Sequence, residues 1–115
     1  MNELTSRPVR VLFVCSRNRL RSPTAEAVFA SAPGVEALSA GTAPDAEERV
    51  SLDLVEWADL IVAMEARHRR QLVNTFGSEL RDTRTVALGI PDDYGFMDPA
   101  LVDLLRQRVT PLLPG

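Results

Sequence analysis

Between Val9 and Pro23 the chain passes from an apolar run, through a polar loop, into residues that start a helix. That succession restricts its fold more than any other feature. Val11-Leu12-Phe13-Val14 is apolar without alternation, as expected of a strand buried on both faces of a parallel sheet. The run ends at Cys15, the only cysteine. After the loop come Arg21 and then Ser22-Pro23, where Ser22 suits an N-cap and Pro23 the first helical position. The predicted helix runs from Pro23 to Ala30, with Ala25, Val28 and Phe29 on its apolar side and Glu26 in its first turn. Ala32-Pro33-Gly34 stops it.

A strand, a loop and a helix start in that order form an anion cradle, because unpaired N–H groups and the positive end of the helix dipole converge there. A thiol at the mouth of the cradle is in a setting that favours the thiolate. Arg21 adds a planar fork that matches a phosphate. The local pattern therefore points to cysteine-dependent chemistry on a phosphate group. Cys15 is the expected nucleophile. The amides of Ser16, Arg17, Asn18, Arg19, Leu20, Arg21 and Ser22, with the Arg21 side chain, are the expected phosphate ligands. Ser22 is also placed to donate to the sulfur. Asn18 is expected to fix the loop, since short polar side chains tolerate left-handed backbone and bond nearby amides.

The remaining chain alternates strands and helices. Val9–Val14, Val35–Leu38, Ala58–Ala63 and Thr85–Leu88 read as strands. Helices are expected after Ser51, from Glu65 to Phe76 with Gly77 at its end, and from Asp98-Pro99 through Leu101, Leu104, Leu105 and Val109. Ser39–Pro44 reads as a turn-rich loop. The expected fold is α/β, one domain with a four-stranded parallel sheet and helices on both faces. In such sheets ligands bind beyond the carboxyl ends of the strands, the rim where Cys15, Ser39 and Asp92 all fall.

A chain of 115 residues suffices for one core, with residues 1–8 as a leader and 9–115 as the domain. One cysteine forms no internal disulfide, which argues for a reducing compartment. No apolar run reaches the roughly 20 residues needed to span a bilayer, and the N-terminus lacks a signal-peptide core. A cytoplasmic location is the expectation. The net charge of −3 gives no general reason to expect a polyanion partner. No His/Cys cluster exists, so neither metal nor cofactor is expected. Arg67, His68, Arg69 and Arg70 read as a solvated helix face.

Val11–Phe29 resembles the low-molecular-weight protein tyrosine phosphatases, as do Ser39-Ala40-Gly41-Thr42, Ala58–Met64 and Ile90-Pro91-Asp92-Asp93-Tyr94. The resemblance implies that family's fold and hydrolysis of phosphotyrosine or another aryl phosphate through a phosphocysteine. It puts Asp92 in the place of the general acid and Tyr94 in that of an aromatic lining the pocket. Three carboxyls compete for the acid's role: Asp92, Asp93 (where the family usually has proline) and Asp98, which precedes Pro99 and reads as a helix cap. The span from Thr42 to Trp57 is shorter than is usual in the family, which predicts a shallower pocket. Arg17 and Arg19 beside Arg21 predict a local positive field and a substrate with extra negative charge.

The expected partner is a phosphorylated protein or a small phosphomonoester, with no membrane. Nucleic acid is not indicated, although a nucleotide phosphate or an RNA end also fits the loop. The alternatives are an arsenate reductase of the same fold using an external thiol and a phosphocysteine transfer module.

Overall fold

The computed structural model describes residues 7–114, so residues 1–6 of the expected leader and residue 115 lie outside the described residues. The elements run β1 (Val9–Cys15), α1 (Arg21–Phe29), β2 (Val35–Gly41), α2 (Leu52–Trp57), β3 (Leu60–Ala63), α3 (Ala66–Phe76), β4 (Arg84–Ala87) and α4 (Pro99–Val109). Short 3-10 turns follow α3 and α4. The four strands form one sheet in the order β2-β1-β3-β4, and every pair is parallel.

The apolar run behaves as its composition dictates. Val11, Leu12, Phe13 and Val14 are all fully buried, and their alternating side chains serve two cores. On one face Val11, Phe13, Leu60 and Val62 pack with Ala25 and Phe29 of α1 and Leu101, Leu105 and Val109 of α4. The rings of Phe13 and Phe29 stack at 5.7 Å. On the other face Leu12, Val14, Ala40 and Ile61 pack with Val55 of α2 and Leu72 of α3. Burying each such side chain contributes about 1.5–3 kcal/mol, so the central strand is held from both sides.

From β1 the chain crosses to β2 on one side, and later returns to β3 on the other. The carboxyl ends of β1 and β3 therefore flank a topological switch point, where open α/β sheets leave a crevice. Cys15 is the last residue of β1.

Three local expectations are corrected. Helix α1 starts at Arg21, preceded by Leu20, with no side-chain cap; Ser22 lies inside its first turn and is fully buried. Glu26 consequently sits beyond the first turn. Strand β2 continues to Gly41, absorbing half of the predicted loop, because it pairs with β1 as far as Cys15. Turn-forming residue types there misled because ladder pairing outweighs local propensity. Finally, His68 on α3 is fully buried, which removes it from the expected solvated face.

Candidate active site

At the end of β1 the backbone leaves the sheet and wraps back to α1 through residues 16–20. Asn18 makes the tightest part of this loop with φ at 58°, in the left-handed region that asparagine tolerates. Its buried amide donates to Ser22 Oγ at 3.0 Å and to Ser39 Oγ at 2.9 Å. Ser39 in turn donates to Glu26. Asn18 thus pins the loop to α1 and β2, as expected.

That network fixes the role of Ser22. Its oxygen accepts from Asn18, so its single proton is left for Cys15 Sγ at 2.9 Å or Ala40 O at 3.3 Å. A hydroxyl proton directed at sulfur stabilises negative charge there.

The loop's own amides are the most informative feature. Among the described residues, no backbone N–H from Ser16 to Ser22 finds a backbone or side-chain acceptor. Unpaired amides at a strand-to-helix turn are an anion site. The loop that carries them borders a cavity of about 410 Å³ lined by Cys15, Ser16, Arg17, Arg19, Leu20, Arg21 and Asp92. Asn18 and Ser22 stand behind this lining.

Arg21 is 98% buried by its side-chain exposure of 2%, and its Nη1 is anchored by Glu65 and by Ile90 O at 2.8 Å. Its Nε–Nη2 edge makes no hydrogen bond among the described residues, yet no buried polar side-chain atom is left without a partner. That edge therefore opens on the cavity. Asp92 Oδ1 lies 3.6 Å from Arg21 Nε. Glu65 is held at a pKa of about 2 by hydrogen bonds from Arg67 and Arg21, which outweigh the opposing effect of burial. It is a fixed anion that orients the guanidinium.

His68 was missed from sequence as part of the site. Its Nδ1 accepts from the Glu65 N–H at 3.1 Å, so the ring proton of the neutral form is on Nε2, 2.9 Å from Ser16 Oγ. Burial first, then Arg21 and Arg67, push His68 down to about 4, with Glu65 and Asp92 opposing. It is neutral at pH 7. The signal that could have found it is the spacing Glu65-x-x-His68, in which a residue three places into a helix reaches back to the cap.

The three candidate acids separate in space. Asp92 lines the cavity with Cys15, and Asp93 does not. Asp98 caps α4, accepting from the Ala100 N–H at 2.9 Å. Tyr94 is also absent from the lining; it packs half-buried against the core formed by α1, α4 and the sheet. Arg17 and Arg19 stand exposed at the rim, 3.9 Å from Asp45 and 3.5 Å from Glu47 respectively. Among the described residues no group of His, Cys, Asp or Glu side chains could hold a metal ion, and no helix is long and apolar enough to cross a membrane.

Comparison with known proteins agrees with this geometry. Residues 10–56 match the family model for the low molecular weight phosphotyrosine protein phosphatases. No curated protein matches the sequence. Among solved structures, the YwlE arginine phosphatase from Geobacillus stearothermophilus is 26% identical, with a TM-score of 0.74 over 91% of this chain and 90% of that one. The tyrosine phosphatase Wzb from Escherichia coli K30, solved with phosphate, is 20% identical, with a TM-score of 0.71 over 90% and 94%. The Erwinia amylovora tyrosine phosphatase AmsI is 22% identical, with a TM-score of 0.72 over 92% and 93%. Strand order, loop and relatives converge: residues 10–56, under half of the chain, match the low molecular weight phosphotyrosine protein phosphatase model, the whole fold is similar to solved phosphatases of that kind, and the chain is an enzyme of that phosphatase-like type.

Proposed function

We propose that the protein hydrolyses phosphomonoesters, an aryl phosphate such as phosphotyrosine among them, through a phosphocysteine on Cys15. The observation that carries this reading is the run of unpaired amides from Ser16 to Ser22 in a loop that borders one cavity with the thiol at the end of β1. The substrate's equatorial oxygens would take those N–H groups and the free edge of Arg21. Cys15 thiolate attacks phosphorus, the phosphorus–oxygen ester bond breaks, and Asp92 protonates the departing oxygen. In the second step the Asp92 carboxylate takes a proton from water as its oxygen attacks phosphorus. Phosphate forms, and the thiolate leaves with the Ser22 hydroxyl donating to it.

Asp92 is preferred over its neighbours because it alone of the three lines the cavity, while Asp98 is engaged at α4. YwlE is described as an arginine phosphatase and Wzb as a tyrosine phosphatase, so both phosphate classes belong in the assay. Turnover of phenyl phosphate, phosphotyrosine and phosphoarginine, with arsenate reduction by external thiols measured in parallel, tests the reading. Release of phosphate that vanishes in Cys15→Ser, with phosphate binding retained, is the expected result. Turnover that persists in that variant, or thiol-dependent arsenate reduction without phosphate release, would overturn it.

A further inference from the structure

We propose that Arg17 and Arg19 form a second anion subsite, making the preferred substrate a phosphomonoester that carries another negative group beyond the scissile phosphate. This inference rests on the phosphomonoesterase reading of the same cavity.

The charges of the cavity are unevenly compensated. Arg21 is buried and held at short range by Glu65, which leaves its other edge for a phosphate. Arg17 and Arg19 line the same cavity, with side chains 59% and 51% exposed. Their partners, Asp45 and Glu47, stand outside that lining at 3.9 and 3.5 Å, and are themselves about 60% exposed. Exposed pairs of this length contribute about 0–1 kcal/mol, so exchanging them for a substrate anion costs little. A guanidinium that forks onto a carboxylate or phosphate with good geometry makes the stronger, charge-assisted bond.

The backbone keeps both arginines at the mouth. Glu47 N–H donates to Arg17 O at 3.0 Å and Ala43 N–H to Ser16 O at 2.8 Å, which ties the segment carrying Asp45 and Glu47 to the loop. The acids therefore act as tethered placeholders for a ligand's charge. The lining offers an aryl ring little apolar surface. None of its residues is aromatic, and Leu20 is its one aliphatic side chain. Recognition beyond the phosphate then falls to the two cations.

Two matched substrates test this: 4-(carboxymethyl)phenyl phosphate and its carboxamide, whose leaving groups are nearly equal but whose distal charge differs. At low ionic strength the carboxylate should be preferred about tenfold in kcat/KM, with the preference shrinking as salt screens it. In R17Q/R19Q the ratio should fall to near one, and in D45N/E47Q, which frees both arginines, it should rise. A ratio near one in the unmodified protein, or one that R17Q/R19Q does not change, overturns the proposal while leaving the hydrolase reading intact. Absence of turnover with both substrates would instead count against the hydrolase reading. The second subsite is then decided by calorimetry with the corresponding non-hydrolysable benzylphosphonates, where equal affinity for the charged and neutral forms overturns it.

Discussion

Asp92 stands 3.6 Å from Arg21 Nε, close enough to serve the same bound phosphate ester. A general acid matters most when the leaving oxygen is poor, because a good leaving group departs with little need of a proton. Asp92→Asn should therefore slow phenyl phosphate hydrolysis by roughly 10²–10⁴ and affect a nitrophenyl ester far less. It should also flatten the basic limb of the pH–rate profile. Asp98→Ala should leave that signature absent and cost about 1 kcal/mol of stability, since it removes the cap on Ala100. Steady-state kinetics on the two esters, with denaturant titration, separates the cases. The leaving-group signature in Asp93→Asn instead would move the acid by one position.

At the scale of elements, the site depends on how closely β2 approaches the loop after β1. Gly41 ends β2, and a Cβ placed on it would meet Ser16 O at 2.4 Å and Ala46 Cβ at 2.7 Å. The first neighbour is backbone and cannot rotate away. Gly41→Ala should push the loop out, destabilising the fold by roughly 1–3 kcal/mol and weakening phosphate binding together. Calorimetric phosphate titration beside thermal unfolding checks both; unchanged binding would mean that the loop tolerates displacement. The same contact explains why β2 runs longer than its composition implied. The Thr42 and Ala43 amides bond Cys15 O and Ser16 O, carrying the pairing past the strand itself.

For the whole molecule, α3 joins the core it shares with α2 to the phosphate loop through one buried imidazole. His68 has a folded pKa of about 4 against an ordinary 6.5, so the unfolded chain binds the extra proton between those values. Its contribution to stability is therefore complete above about pH 6.5 and is lost as pH falls through 4, on the order of 3 kcal/mol. Glu65, lowered from 4.5 to about 2, adds a second loss at still lower pH. Unfolding free energy should decline from pH 6.5 to 4 in the unmodified protein, and His68→Gln should show a shallower slope in that window. Equal slopes in the two proteins would assign the acid sensitivity elsewhere.

Local spacing alone determined the strand–loop–helix unit, the parallel α/β class and the association of Cys15, Arg21 and Asn18, because the chemistry of an anion loop is written in consecutive residues. Asp92 was legible as one of three carboxyls on the right rim, and Asp98-Pro99 as a cap. The tertiary structure decided what depends on distant segments meeting. Arg21 is clamped by Glu65 from 44 positions away, and Ser16 by His68 from 52. No periodicity marks such partners, and a histidine among arginines on a helix reads as solvated until the helix is docked. Tyr94 is another case: it packs half-buried against the core rather than lining the cavity, a choice that local sequence does not mark.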